Sequence, residues 1–436
     1  MLFHDNTLYS EYLESLYLDE RPVPVLGIGD ESLVGSGHTH VLPTILHSDK
    51  NENYYPLINR IISSNLIHNT EHFLLVNLSK IVNQYKNWCL NLPQVTPYYA
   101  IKSNSDTTII RLLNELGCRF DVASKKEIEL VLECGVTPDK MVYANPCKSP
   151  KYIDHAKKVG VNLLVVDCIC ELEKISRYYP EADLLMRIKV DDSHSLCKFN
   201  SKYGVDFDEI DGIFKRGVEL GSRICGVSFH VGSSCKNKNV FDEAIQNCKH
   251  VIDMGRLFGF DMKIVDIGGG FLSEIGETAD VINGAIDKYF FSVEYKDVKF
   301  IAEPGRYFSS NSHTLVTSII NIKSKIDEKT GEKIMIYYLT DGVYGVFSGA
   351  MFDYAEFEFE VLCGDEQHKG RECSPLFKSI LFGPTCDSID VISKKVELPI
   401  LNLGDRLIIR NIGAYSVASA MEFNGFPIPE KIYFYV

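Results

Sequence analysis

The sequence predicts an α/β protein: a (β/α)8 barrel of the TIM type joined to a mainly antiparallel β domain. Three observations carry that expectation. Over residues 78–313 short apolar, β-branched runs alternate with amphipathic stretches of helical period, whereas over 314–436 strand-like runs follow one another with no helix between them. The polar residues Lys102, Asp121, Asn145, Arg187, His230, Gly268 and Glu303 all stand at or just past the C-terminal ends of the expected strands. In α/β barrels that rim carries the chemistry.

Eight barrel strands are expected, at 97–101 (PYYAI), 118–123 (CRFDVA), 141–145 (MVYAN), 161–167 (VNLLVVD), 183–190 (DLLMRIKV), 223–230 (RICGVSFH), 263–267 (KIVDI) and 299–303 (KFIAE). Eight closes a barrel; a doubly wound open sheet gives a similar alternation and is the alternative fold. The helices have their own start signals, a capping box at Ser124-Lys125-Lys126-Glu127 and proline at the first helical position after Ser149. The β domain, with part of 1–77, reads from TLVTSIINI, KIMIYYL, EFEFEVL, KSILF, RLIIRNI and KIYFYV. Residues 1 to about 70 form an N-terminal extension of uncertain structure, in which GIGDESLVGSGHTH reads as loop with two solvated histidines.

With 436 residues, 45% hydrophobic and 24% charged, the chain has the composition of a globular protein able to bury a large core. Acidic residues outnumber basic ones by 59 to 45, a formal charge of −14, which speaks against nucleic acid or an anionic membrane as partner and suits a cationic small molecule. Thirteen cysteines without CxxC spacing read as free thiols of a reducing compartment. Cys168 and Cys170 form CxC with no matching pair nearby, so no metal site is assigned. No signal peptide and no apolar run near the ~18 residues of a membrane span are found, so a cytoplasmic protein is expected. Asn77-Leu78-Ser79 fits the glycosylation pattern but means nothing without secretion.

Lys102 ends an apolar strand, with Asp121 and Glu127 within reach from the next unit; alone, such a lysine is more often a salt-bridged surface residue. Gly268, Gly269 and Gly270 lack side chains where a strand meets a helix, which lets backbone N–H groups approach a phosphate, although a tight turn needs no more than that. Glu303-Pro304-Gly305-Arg306 follows the eighth strand, next to the seventh in a barrel, the pair of positions that commonly builds a phosphate site. Arg306 is a charged fork for it. His230 could lie against a flat ring and Ser233 could add a phosphate contact. Taken together these segments specify a phosphorylated cofactor. In the β domain, Asp341 to Tyr344 with Asp353, Gly383 to Asp387, and Gly413 to Tyr415 with Phe423 to Phe426 read as turns or as a binding surface.

The motifs PYYAIKSN, FDVASKKEI, ANPCK, FHVGSSC, DIGGGF, AEPGRYF, DGVYG, FGPTCDSID and GAYSVASAMEFNGF resemble the eukaryotic-type ornithine decarboxylases, in order and in register from about residue 72 to the end. That resemblance implies pyridoxal 5'-phosphate as cofactor and decarboxylation of ornithine to putrescine, for polyamine synthesis. By position, Lys102 would bind the cofactor aldehyde, Asp121 would orient Lys102, and Glu303 would pair with the pyridine nitrogen. His230 would stack on the ring; Ser233, Gly268 to Gly270, Arg306 and Tyr415 would hold the phosphate, with Arg187 also at the cofactor. Cys386 would protonate the substrate carbon, and Tyr344, Asp353, Asp387 and Phe423 would receive the substrate. The resemblance also implies a homodimer whose sites are shared, Cys386 and Asp387 coming from the second subunit and Lys202 and Asp390 joining the two. A regulator of the antizyme type is a further partner of that family.

The chemistry agrees with this assignment. Loss of CO2 from an amino acid leaves a carbanion that a protonated pyridine ring can absorb, a carboxylate at Glu303 favours that protonation, and two carboxylates suit a substrate with a distal ammonium. Three departures stand out: Phe352 replaces a tyrosine, Ser234 a glycine and Ser103 a cysteine of the family pattern. Lysine or another basic amino acid as substrate, and a non-catalytic homologue like the antizyme inhibitors, are the alternatives. The chain ends at Val436 straight after the last expected strand, so turnover through a long C-terminal tail of the animal type is not expected.

Overall fold

Hydrophobic alternation becomes barrel geometry in the computed structural model, which describes residues 45–47, 54–64, 71–235, 237–362 and 375–436. Eight parallel strands, Val95–Ala100, Arg119–Val122, Met141–Tyr143, Leu163–Val166, Asp183–Arg187, Arg223–Ser228, Ile264–Asp266 and Lys299–Ala302, pair in chain order and close. The eighth returns to the first through Phe300↔Val95 and Ala302↔Pro97, which rules out the open sheet. All eight expected strands are present, their bounds moved by a few residues.

The helical layer is circularly shifted. No long helix follows the eighth strand; its place is taken by Leu78–Asn91, which precedes the first strand and packs beside Thr107–Glu115 and Gly276–Phe290. Trp88 anchors it, fully buried, its indole N–H donating to Val95 O at 2.8 Å and its ring meeting Phe271 and Tyr307 edge-on. Ser124 caps Lys125–Glu133 by accepting from Glu127 N–H, and the Glu127 carboxylate accepts from Ala123 N–H. That use ties Glu127 to the helix start. Asn77 is likewise a helix cap, buried and bonded to Lys80 N–H and the Tyr54 hydroxyl, so its glycosylation pattern has no structural outlet.

A strand's side chains alternate between faces, and here one face meets the helices and the other the lumen. Phe120 and Val122, Met186 and Ile188, Phe229 and Val231, and Val265 and Ile267 all belong to the core between strands and helices. The residues between them, Asp121, Arg187, His230 and Asp266, therefore point inward. Below them the lumen is filled by Tyr98, Val142, Val165, Leu185 and Ile301.

The second layer is a nine-stranded mixed sheet. Antiparallel pairs predominate, but Lys333–Leu339 with Phe377–Phe382, and Glu430–Tyr435 with both Phe73–Asn77 and Ile45–His47, are parallel. Its spine is His313–Ile326, long enough to pair with Phe73–Asn77, Arg406–Arg410 and Lys333–Leu339 along its length. Of EFEFEVL only Glu360–Val361 is strand, and Val391–Leu398 is a strand that the alternation of charges hid. The loop GIGDESLVGSGHTH lies outside the described residues. No helix among the described residues is long and apolar enough to cross a membrane.

A buried polar joint ties barrel to sheet. Asn104 donates to Gly413 O at 2.8 Å and meets His313 Nε2 at 3.2 Å, while Ser312 Oγ lies 2.8 Å from His313 Nδ1. Asp106 caps Thr107–Glu115 and accepts from the Tyr433 hydroxyl at 2.7 Å and from Lys431. Burial holds His313 down to about 4. Because the folded pKa lies below the unfolded one of ~6.5, the unfolded chain takes up the proton first, and stability falls as pH drops from about 6.5 toward 4, by about 3 kcal/mol in all. Denaturant melts of the wild type and His313→Gln across that window should show a shallower acid slope in the variant.

Candidate active site

Lys102 lies in the single turn Ile101–Ser103 that leaves the first barrel strand, and its Nζ donates to Asp121 Oδ2 on the second strand at 2.5 Å. Asp121 is fully buried, while 39% of the lysine side chain is open. Desolvation opposes the lysine's charge, but Asp121 and Glu303 outweigh it and hold the ammonium above the ordinary lysine range.

Around that pair stand the other rim residues. Glu303, just past the eighth strand, is buried; desolvation first, then the Asp266 and Asp121 carboxylates, push it well above the usual carboxylate range. The His230 Nδ1 accepts from Gly232 N–H at 3.0 Å, and Phe199 packs edge-on against the ring at 4.9 Å. Burial, then the cations Arg187 and Lys102, lower its pKa well below the ordinary value, so the ring is neutral. Arg187 itself lies over the Tyr203 ring. Asn145 serves its own turn, bonding Ala123 O and Cys147 N–H.

The glycine run is bare for steric reasons. A Cβ on Gly268 would lie 2.1 Å from Phe229 O, one on Gly269 2.8 Å from His230 Nε2, and one on Gly270 2.7 Å from Gly232 O. Arg306, at the start of Arg306–Ser309, donates to Ser233 Oγ at 3.2 Å and to Asp353 Oδ1 at 2.6 Å, and lies over the Tyr415 ring at 4.9 Å. Tyr415 N–H in turn donates to Ser103 O, beside Lys102. Arg306 Nε and Asp121 Oδ1 are among the buried polar atoms without a partner among the described residues. A guanidinium with a spare donor, a serine hydroxyl and a stripped backbone turn form a phosphate cradle, one whose arginine already holds an anion in the Asp353 carboxylate. The residues present fit pyridoxal phosphate.

A second group sits on the sheet loops. Tyr344 stacks on Phe423 at 4.2 Å and donates its hydroxyl to Asp387 Oδ2 at 2.5 Å, and Cys386, exposed, donates its N–H to Asn424 Oδ1. Among the described residues no hydrogen bond or ring contact joins this group to the Lys102 group. Asp390 is 1% exposed, its carboxylate taken by Val343 and Thr385 of its own chain, and Lys202 lies over the Tyr203 ring. A cavity of about 640 Å³ opens at the opposite mouth of the barrel, lined by residues such as Thr96, Arg119, Asp183 and Lys299, where no rim residue reaches.

The family described as pyridoxal-dependent decarboxylase, pyridoxal binding domain, matches residues 78–310. A probable ornithine decarboxylase of Dictyostelium discoideum is 39% identical over 372 residues, 83% of this chain and 79% of that one. This chain belongs to the pyridoxal-dependent decarboxylases. Antizyme inhibitor 2 of Xenopus laevis is also 39% identical, over 81% of this chain and 79% of its own. The lysine/ornithine decarboxylase of Vibrio vulnificus, solved with putrescine, superposes with a TM-score of 0.76 at 34% identity, covering 88% of this chain and 99% of that one. This decarboxylase thus has pyridoxal phosphate as its cofactor and the barrel-plus-sheet fold of its relatives.

Sequence reading passed over one residue of the site, Asp266, inside the DIGGGF motif. The signal was available in the period-two alternation of its strand. Two departures from the family pattern acquire a structural meaning. Ser103 is fully buried and shares hydrogen bonds with Tyr99 and Ser309, so a small polar side chain fits there. Ser234 has φ +53°, a left-handed conformation that disfavours a side chain. Relief of that strain outweighs the entropy cost of glycine, so Ser234→Gly should raise stability by about 0.5–1 kcal/mol, read as a higher melting temperature. Gly268→Ala, facing a carbonyl that cannot yield, should lower it by about 2–4 kcal/mol and weaken pyridoxal phosphate binding in an absorbance titration.

Proposed function

We propose that this enzyme decarboxylates L-ornithine to putrescine, in polyamine synthesis in the cytoplasm, as a homodimer with shared active sites. The observation that carries the reading is the lumen-facing pair of Lys102 and Asp121, flanked by Glu303 and by the Arg306 cradle. Bound there, the pyridoxal ring supplies the electron sink that loss of CO2 from an amino acid requires.

The chain's own groups supply the rest. Lys102 offers the displaceable amine, and Asp121 orients it through the hydrogen bond from Nζ. Glu303 would hold a proton at the ring-nitrogen end. His230, neutral, would present a flat uncharged face that keeps water off the ring. Arg306, Ser233, the glycine turn and Tyr415 would hold the phosphate; Asp353, relieved at Arg306, would then face the far ammonium of the substrate together with Asp387. Cys386 Sγ–H would donate the proton that replaces CO2 on the substrate carbon.

Exposure supports the dimer. Met421, Phe423 and Phe426 are exposed beside the Tyr344, Cys386 and Asp387 group, an apolar rim that a second copy would cover. A regulator of the antizyme type is a further proposed partner. The likeness to antizyme inhibitor 2 makes a non-catalytic role the rival reading, and the intact set of Lys102, Glu303, Arg306 and Cys386 favours the enzyme.

Purified protein with pyridoxal phosphate should release CO2 from labelled ornithine, and Lys102→Ala should lose both the bound-cofactor absorbance and about 10³-fold or more in rate. Ornithine competing with lysine should win by about 10–200-fold, the worth of one methylene. Lys102→Ala and Cys386→Ala should each be inactive alone, but mixed and re-equilibrated they should recover about a quarter of wild-type activity, since half the dimers then carry one intact site. No recovery from two folded variants refutes the shared site.

A further inference from the structure

Asp266 is the last residue of the seventh barrel strand and has no exposed surface. One carboxylate oxygen, Oδ1, accepts from Gly268 N–H at 2.9 Å; the other, Oδ2, is buried and has no donor among the described residues. The Asp266 and Glu303 carboxyl groups face each other within hydrogen-bonding reach. Gly268 grips both partners, since its N–H serves Asp266 and its carbonyl accepts Glu303 N–H at 2.6 Å. Two carboxylates are acceptors only, and a shared proton lets them meet in a buried site at the least electrostatic cost.

A count of the facing charges agrees with the same proton. The charged groups facing the pair are Lys102 from the first strand's end, Asp121 from the second strand and Arg187 from the fifth. Tyr98 and, from the helix Val240–Leu257, Cys248 also face Asp266, but burial raises both, so they are uncharged. Two cations against Asp121 leave one positive charge to be met. With one proton the pair carries a single negative charge, and the lumen is neutral.

We propose that Asp266 is a positioning residue of the decarboxylation: bonded to Gly268 and sharing a proton with Glu303, it fixes that carboxyl and keeps a proton at the ring-nitrogen end of the site. The proposal rests on the pyridoxal phosphate reading of the site for its function, though not for the shared proton. Its buried charge raises proton affinity at that end, whether the proton sits on a carboxyl oxygen or is passed to the pyridine nitrogen. In the transfer the Glu303 O–H bond breaks, the oxygen keeps the electron pair, and an N–H bond forms. Both carboxyls move upward chiefly through desolvation, which agrees with this arrangement.

The test uses the full-length protein and Asp266→Asn, which keeps the shape and removes the charge. Infrared difference spectra of the cofactor-free protein should show a protonated carboxyl that titrates above the ordinary carboxylate range and is missing from both Asp266→Asn and Glu303→Gln. With pyridoxal phosphate bound, the pH midpoint of the visible absorbance should move down by about one unit, a tenfold change in proton affinity. kcat should fall on the order of 10- to 100-fold with KM changed less than about threefold. A folded Asp266→Asn with the wild-type pH midpoint and kcat overturns the proposal. If that variant fails to fold, the wild type and Glu303→Gln decide, and identical carboxyl bands in the two overturn it. A wild type without visible absorbance would sink the cofactor reading instead, with the infrared result still deciding the shared proton.

Discussion

Closure of the barrel is the constraint on which the rest depends, because it gives every strand one face toward helices and one toward a common lumen. Once Lys299–Ala302 pairs with Val95–Ala100, inward residues cannot turn to solvent without exposing their apolar neighbours to it. Asp121, Arg187, His230, Asp266 and Glu303 are held together by this exclusion and not by mutual attraction. Three of them are acids, and their concentration in one place would be costly without Lys102 and Arg187.

Low polarity in the lumen then decides protonation. Burial keeps His230 neutral and raises the proton affinity of the Asp266 and Glu303 carboxyls, while Asp121 and Glu303 keep the Lys102 ammonium charged. One environment thereby yields three different states: a neutral ring, a carboxyl pair of raised proton affinity and a charged amine. Arg306 illustrates the same balance of charge, taking the Asp353 carboxylate as its acceptor beside Ser233 and the Tyr415 ring.

The sheet supplies what the barrel cannot. Its loops carry Tyr344, Cys386, Asp387 and Phe423 as one stacked and hydrogen-bonded group, and they are joined to the barrel through Asn104, His313 and Gly413. That joint also places Tyr415 against Ser103, next to Lys102. Position of the aromatic side chain over Arg306 is therefore set from two domains at once.

Periodicity and punctuation in the chain determined the barrel, its eight strands, the rim residues and the glycine cradle, because these are local: alternation, turn residues and strand ends are written within a few positions of one another. The parallel pairings of the sheet, the helix Leu78–Asn91 standing in for the one missing after the last barrel strand, and the strand Val391–Leu398 with its run of charges were not legible, since each is settled by a neighbour far away in sequence. The same holds within the site. Asp266 reads as one more acid before a glycine run until closure brings it against Glu303, and only there, with water excluded and a cation on either side, does its charge acquire a consequence.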